Sequence, residues 1–553
     1  MMKKALIAVF VPVALLSVIG YYCFLWFVIM LPPAEKENHF SELPVIDKGD
    51  STFTCGNSWS RKNMDGLYDV FTCGGPYERG VTIGKLTKKL IYKQEKAFLD
   101  QINNMVPSQP YLEFLNYVLS IYNRKLDSYI DTEYLQEING ISQSASDEFD
   151  YVGSKYQRMV NYHAAHDIGH MAQMYHLVGC TSFGAWGSKT PDSSLIIGRN
   201  FDFYAGDEFA KQKIVAFYKP DSGNCFMMIT WAGMCGAVSG MNDKGLTITI
   251  NAAKSYIPEQ VGSPVSIVAR HILQYASDID EALLIAKSYR TFVSETFLIG
   301  SAKDNSAAII EKTPYMTALL KPEKNDFIIC TNHFQSKEFS WNDLNQKDLR
   351  ESPSLYRYIR MQQLIKASGP IDATAAAKIL RDQKGIDGKD IGVGNEKAVN
   401  QLIAHHSVIF EPGKQLVWVS TSPFQLGAYV CYDLNKVFAS RLIPGKGSYM
   451  RPELMIPADS FVTNGGYHAF VHYKYLRDEM RSALRNKGSQ LPDPAALIAS
   501  NPQFYLVYEL AGDYYKMLGN KDAAAAEYKK ALQKEIPWTT DARTIENRLR
   551  DCR

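Results

Sequence analysis

The sequence predicts an α+β sandwich. From residue 180 onward, short β-rich runs recur at 194–197, 213–218, 225–231, 246–251, 296–299, 307–311, 327–331, 407–410 and 415–420. Helical spacing interrupts them only at 266–288 and 355–367. Before them, 75–150 reads mostly helical, with apolar residues three and four apart in 92–102 and 111–121. Turn signals such as Asn242-Asp243-Lys244-Gly245 and Glu411-Pro412-Gly413 join strand to strand. Many strands with few helices between them imply packed sheets covered by helices, not an alternating βαβ array.

The chain has 553 residues, 46% of them hydrophobic and 21% charged, which suits a globular protein with one large core plus additions. Sixty basic against 58 acidic residues leave a net charge of +2, so no nucleic-acid or other polyanionic partner is expected. No Cys-x-x-Cys occurs, and neither a metal nor a cofactor is expected. The nine cysteines are an odd number; Cys55 and Cys73 flank a Gly-rich stretch and are a candidate disulfide, which spacing alone does not establish.

Lys3 and Lys4 precede an apolar run over 5–31 that is long enough to span a bilayer. No small-x-small site follows it, and Tyr21 and Tyr22 before Cys23 do not suit a lipoprotein site. The expectation is therefore a transmembrane anchor over 1–31, with a cleaved signal peptide as the alternative and the rest of the chain on the extracytoplasmic side of the membrane. A polar linker over 32–69, a helical segment over 70–179, a catalytic core over 180–440 and a helical tail over 441–553 would follow. Within the tail, 501–537 resembles one tetratricopeptide hairpin through Leu510, Gly512, Tyr514, Gly519, Ala524, Tyr528, Ala531 and Pro537, the proline falling one position late. A single repeat cannot bury its own face, so it should pack on the body; docking of a protein partner is the alternative.

The chemistry centres on Gly179-Cys180. A thiol beside its own peptide bond can attack the preceding carbonyl, and glycine leaves that carbonyl unhindered. Hydrolysis of the resulting thioester frees the α-amine of Cys180, whose pKa of about 7.7–8 lets it serve as base for its own thiol. Alone, the dipeptide would more often be a buried structural cysteine.

Its surroundings shift that balance. Gly198-Arg199-Asn200-Phe201-Asp202 follows Cys180, and Ser239-Gly-Met-Asn-Asp-Lys-Gly-Leu246 leads into a strand ending at Asn251. A second strand leads to Asn332, and Ser354-Leu-Tyr-Arg357 opens a helix. Upstream stand Gly75-Pro-Tyr-Glu-Arg-Gly80, Gly84-Lys-Leu86 and Glu137-Ile-Asn-Gly-Ile-Ser142. This order resembles the N-terminal-nucleophile hydrolase superfamily, in particular isopenicillin N acyltransferase-type enzymes (acyl-CoA:6-aminopenicillanic acid acyltransferase) and choloylglycine hydrolases, over roughly residues 70–440.

The resemblance implies a four-layer αββα N-terminal-nucleophile sandwich, cut between Gly179 and Cys180 into α and β fragments that stay together. It implies Cys180 as nucleophile, Arg199 favouring the thiolate, Asp202 holding the freed amine, Asn251 and Asn332 as oxyanion donors, and Arg357 organising the site. Plain roles also fit: a salt bridge for Arg199 and Asp202, turn caps for the two asparagines, exposed helix charges for Arg357 and Arg360.

The implied reaction is hydrolysis of N-acyl amides through a thioester, with transfer of the acyl group to an amine, or phospholipase B-like ester hydrolysis, as alternatives. A lipid-like acyl amide is the expected small-molecule partner, because the anchor would hold the site near lipid. A membrane-tethered binding protein with an inert catalytic domain is the rival of a different class. His163, His166 and His170, with Asp167, could share a helical face, but no His-Glu-x-x-His is present and a packing role near the junction is preferred. Cys225, Cys235, Cys330 and Cys431 read as core thiols, and His405-His406 as core or cleft lining.

Overall fold

Short runs rich in β-branched and aromatic residues, some alternating with Thr or Ser as in Leu246–Ala252 and others continuously apolar as in Phe226–Thr230, form the strands. In chain order they are β1 (Val45–Asp47), β2 (Thr52–Cys55), β3 (Ser58–Lys62), β4 (Tyr68–Gly74), β5 (Thr181–Gly187), β6 (Ser193–Phe201), β7 (Ile214–Pro220), β8 (Phe226–Thr230), β9 (Ser239–Asn242), β10 (Leu246–Ala252), β11 (Glu295–Ser301), β12 (Ser306–Lys312), β13 (Thr317–Leu320), β14 (Phe327–Cys330), β15 (His406–Glu411), β16 (Leu416–Ser420) and β17 (Tyr429–Asp433). The structure, a computed structural model, describes residues 24, 27–35, 38–106, 108–165, 167, 179–204, 206–254, 256, 260–439, 449–486 and 492–552.

The strands form two sheets. One has eleven, in the order β1-β2-β3-β4-β7-β8-β9-β10-β11-β12-β13, and the other six, in the order β14-β5-β6-β15-β16-β17. Pairing is antiparallel except between β4 and β7, where Tyr68 lies beside Ile214 and Gly74 beside Pro220. The sheets face each other across a core that includes Trp59, Phe71, Ile197, Phe217, Val408 and Val430. Helices α1 (Pro76–Met105), α2 (Thr132–Ser142), α3 (Lys155–His163), α4 (Val265–Tyr275) and α5 (Ile279–Ser288) contribute to a second core with the larger sheet. A third core joins α6 (Ser354–Ala367) and α7 (Ala373–Leu380) to the smaller sheet. This is the mixed α+β sandwich that the many short β-rich runs with few helices between them predict.

The period of two sets the site as well as the core. Leu246, Ile248 and Ile250 of β10 enter the helix-side core, so Asn251 points to the opposite face, toward the smaller sheet. Leu195 and Ile197 of β6 enter the core between the sheets, and Arg199 shares their face.

Three expectations are corrected. The stretch 32–69 is not a linker through its length: β1 to β3 lie in it, and Trp59 and Leu67 join the core between the sheets. The transmembrane anchor over 1–31, and the extracytoplasmic location that rested on it, are not supported: no helix among the described residues is long and apolar enough to cross a membrane. Much of that run lies outside the described residues, but its end packs on protein: Met30 is buried in the helix-side core, and the Val28 carbonyl accepts from Gln157 Nε2 at 3.2 Å. Cys55 and Cys73 are free thiols on β2 and β4, separated by β3, about 10 Å at ordinary strand spacing and beyond the reach of a disulfide.

The tail contains α8 (Gly466–Asn486), α9 (Pro494–Ser500), α10 (Tyr505–Met517), α11 (Lys521–Leu532) and α12 (Thr539–Asp551). Tyr473, Phe504 and Tyr528 share a core with Leu402, Phe424 and Leu426 of the body. Glu535 accepts from Lys389 at 2.6 Å and from Lys397 at 2.7 Å across the same junction.

Candidate active site

Cys180 sits immediately before β5 and is fully buried. Arg199 Nη2 donates to its Sγ at 3.4 Å. The guanidinium is held in turn by the carbonyls of Val238 and Ile250, by Ser239 Oγ, and by the Phe201 ring 4.4 Å from its centre. Ser239 Oγ lies 2.8 Å from His406 Nε2, and His405 Nδ1 lies 2.9 Å from His406 Nδ1. Burial pushes both imidazoles far below their ordinary range, His405 to about 3, so neutral rings back the arginine.

Arg357, in the first turn of α6, spans the other side. Its Nη1 donates to the Cys180 carbonyl at 2.6 Å and to Thr181 Oγ1 at 2.7 Å, and its Nη2 donates to Asn332 Oδ1 at 2.8 Å. Asn332 lies two residues beyond β14, tied through its backbone N–H to Ser354 Oγ at 2.8 Å and through Nδ2 to the Ala252 carbonyl at 3.0 Å. Asn251 lies within β10, one residue before its end; its Oδ1 accepts from Ser182 Oγ at 3.1 Å and its Nδ2 donates to the Cys330 carbonyl at 3.2 Å. The structure thus brings Arg199 and Arg357 into direct contact with Cys180 and places the two asparagines around them. Neither arginine is an exposed helix or surface charge.

Asp202 follows β6. Its backbone carbonyl accepts from Gly179 N–H at 2.9 Å and from Cys180 Sγ at 3.9 Å. Its carboxylate is fully buried, and neither oxygen has a hydrogen-bond partner among the described residues. It makes no salt bridge with Arg199. Burial raises it to about 7 against the pull of Arg357 and Arg199. Burial also raises the Cys180 thiol, and Arg199 opposes this without overcoming it, so in the uncut chain the sulfur is held as a thiol.

Sequence reading missed Gln401. Its Nε2 donates to the Gly179 carbonyl, the one beside Cys180, at 2.6 Å. A Cβ on Gly179 would lie 2.7 Å from both amide heavy atoms of Gln401, which gives glycine a steric reason here beyond backbone freedom. The two residues are 222 apart in sequence, so no local motif announces the contact. His406, read from sequence as core or cleft lining, is buried behind Arg199 through Ser239.

An apolar cavity lies on the helix side, lined by Ile91, Phe98, Met159, Phe203, Phe209 and Trp231. His163 is a packing residue: its Nδ1 lies 2.7 Å from the Met159 carbonyl, the Cys235 N–H donates to its Nε2 at 2.9 Å, and burial lowers it to about 4. His166 and His170 lie outside the described residues. Among the described residues no cluster of three His, Cys, Asp or Glu could hold a metal.

Residues 188–421 match the family model of acyl-coenzyme A:6-aminopenicillanic acid acyl-transferase. The chain resembles that acyl-transferase family. The acyl-transferase-type stretch opens just downstream of Cys180 and includes Arg199, Asp202, Asn251, Asn332, Arg357 and Gln401. An Archaeoglobus fulgidus protein described as uncharacterized is 25% identical over 354 residues, which are 57% of this chain and 58% of that one. Protein dcd1B of Dictyostelium discoideum is 21% identical over 257 residues, 43% of this chain and 49% of that one. The chain spans about half the length of these curated relatives. Among solved structures, the Caenorhabditis elegans N-acylethanolamine-hydrolyzing acid amidase ortholog is 16% identical with a TM-score of 0.32, over 42% of this chain and 93% of that one. A variant of conjugated bile acid hydrolase from Clostridium perfringens is 15% identical with a TM-score of 0.30, over 46% of this chain and 93% of that one.

Proposed function

We propose that the protein is an autoproteolytic cysteine N-terminal-nucleophile amidohydrolase with a four-layer αββα catalytic body. The observation that carries this reading is the junction itself: the Gly179 carbonyl accepts from Gln401 while the adjoining Cys180 thiol meets Arg199. In self-cleavage, Sγ adds to the Gly179 carbonyl carbon and the Asp202 carboxylate takes the thiol proton. Gln401 donates to the oxyanion that forms. The bond from Gly179 carbon to Cys180 nitrogen then breaks as that nitrogen gains the proton, leaving a thioester. Water hydrolyses the thioester, giving a Gly179 carboxylate and a Cys180 residue with free amine and free thiol. The new α-amine can donate an N–H to the buried Asp202 carboxylate, which lacks a hydrogen-bond partner among the described residues, while its lone pair stays free.

The freed amine then acts as base for Sγ in attack on a substrate amide, with Asn251 and Asn332 as oxyanion donors and Arg357 fixing the Cys180 backbone. Water resolves the acyl-enzyme in hydrolysis; an amine would resolve it in acyl transfer, and the two share these residues.

N-terminal sequencing of wild type beside Cys180→Ala is the test. Wild type should yield a fragment beginning at Cys180 and the variant only the intact chain. An intact, fully active wild type would refute the scheme.

A further inference from the structure

A cavity of about 440 Å³, with polar and apolar lining, lies where the tail meets the body. Glu396 and Gln401 wall it from the body, and Tyr473 of α8, Glu509 of α10 and Asp541 of α12 from the tail. It adjoins the junction chemistry twice: Gln401 reaches the Gly179 carbonyl, and Glu396 and Arg357 feel each other's charge.

Two polar groups here are unsatisfied. The Tyr473 hydroxyl, on a side chain 1% exposed, has no hydrogen-bond partner among the described residues, and neither has one buried carboxylate oxygen of Glu396. Buried polar groups of this kind ordinarily find a partner. The basic side chains along the cavity do not supply it. Lys474 pairs with Asp207, Arg477 donates to Asp478 at 2.8 Å, and Arg481, exposed at the cavity, acts on Glu396 through its charge and not through a hydrogen bond. Glu509 is already paired with Arg548 at 2.7 Å. What these two groups lack is a hydrogen-bond partner within the cavity, and a primary ammonium, rich in N–H donors and free of acceptors, can donate to both the Glu396 oxygen and the Tyr473 hydroxyl.

We propose that this cavity binds the amine half of the substrate through an ammonium group separate from the reacting nitrogen, paired with Glu396 and hydrogen-bonded to Tyr473. The inference rests on the amide-cleaving reading and makes the C-terminal helices a specificity element of that reaction.

The processed enzyme would be compared on N-octanoyl ethylenediamine and its neutral counterpart N-octanoyl ethanolamine. A charge-assisted contact should give the cationic amide a KM about tenfold lower. Glu396→Gln should abolish the KM preference for the cationic amide, and Tyr473→Phe should reduce it about threefold. Calorimetry of the uncut Cys180→Ala chain with ethylenediamine, and with ethylene glycol as the neutral probe, reads the cavity without turnover. Equal KM values in wild type, or a preference that survives Glu396→Gln, would overturn the assignment. So would ethylenediamine binding no better than ethylene glycol. A chain that is never cut at Cys180, yet binds the diamine through Glu396, would sink the amide-cleaving reading and leave the cation site standing.

Discussion

At the scale of single residues, the uncut site stores an unfavourable charge in Asp202. Its folded pKa is about 7, above the ordinary carboxylate value, so the folded chain binds more protons than the unfolded one between those limits. The stability cost of Asp202 is absent below the unfolded value, grows as pH rises toward 7 and is complete above it. In the Cys180→Ala background, Asp202→Asn should therefore stabilise more at pH 8 than at pH 5, by about 2–3 kcal/mol at roughly 1.4 kcal/mol per unit. Urea melts at the two pH values measure this, and a pH-independent difference would contradict it. Gln401→Leu removes the donor on the Gly179 carbonyl, and Gly179→Ala pushes that donor away. Each should slow self-cleavage about 100-fold or more, the usual effect of losing an oxyanion donor, as read from the time course of fragment appearance.

At the scale of elements, α1 and α2 approach so closely that only glycine fits between them. A Cβ on Gly140 would lie 2.5 Å from the Val81 backbone nitrogen, and one on Gly80 would lie 2.1 Å from the Glu137 carbonyl oxygen. Gly140→Ala should cost about 1–3 kcal/mol in thermal or urea unfolding, because backbone atoms cannot step aside as a flexible side chain can. The same crossing seats Glu137 between Arg79 at 2.9 Å on α1 and Arg270 at 3.2 Å on α4. Burial alone would raise this carboxylate, but Arg270 and Arg79 outweigh burial and hold it below its ordinary value. Glu137→Ala leaves two buried arginines without their shared partner and should cost about 3–5 kcal/mol.

At the scale of the whole molecule, the Gly179–Cys180 bond is not what holds the chain together. Residues before it supply β1 to β4 of the larger sheet, and β4 pairs with β7 along its full length. Asp69 on β4 accepts from Tyr432 at 2.7 Å and from Tyr449 at 2.8 Å, while the Arg79–Glu137–Arg270 triad bridges the same divide. The cut fragments should co-elute in gel filtration and separate only in denaturant; separate native peaks would contradict the shared sheet. The tail is likewise built in, through Leu402, Phe424 and Leu426, and does not form a detached arm.

The short runs at 194–197, 246–251 and 407–410 were enough to predict strands: 246–251 alternates Leu or Ile with Thr, and the other two are brief runs rich in β-branched residues between turn signals. The motif residues Cys180, Arg199, Asp202, Asn251, Asn332 and Arg357 were singled out by their order along the chain, which resembles a known family, and not by any periodicity; the contacts of Arg199 and Arg357 with Cys180 come from the fold. The strands at 45–62 were not legible. They are short, rich in Ser and Thr, and earn their place only by pairing with a sheet assembled mostly from later sequence. Gln401 over the Gly179 carbonyl, the histidine pair behind Arg199 and the cavity under the tail belong to tertiary structure alone. They join residues scores to hundreds apart, and a hydrogen bond over that separation leaves no trace in the spacing of neighbours along the chain.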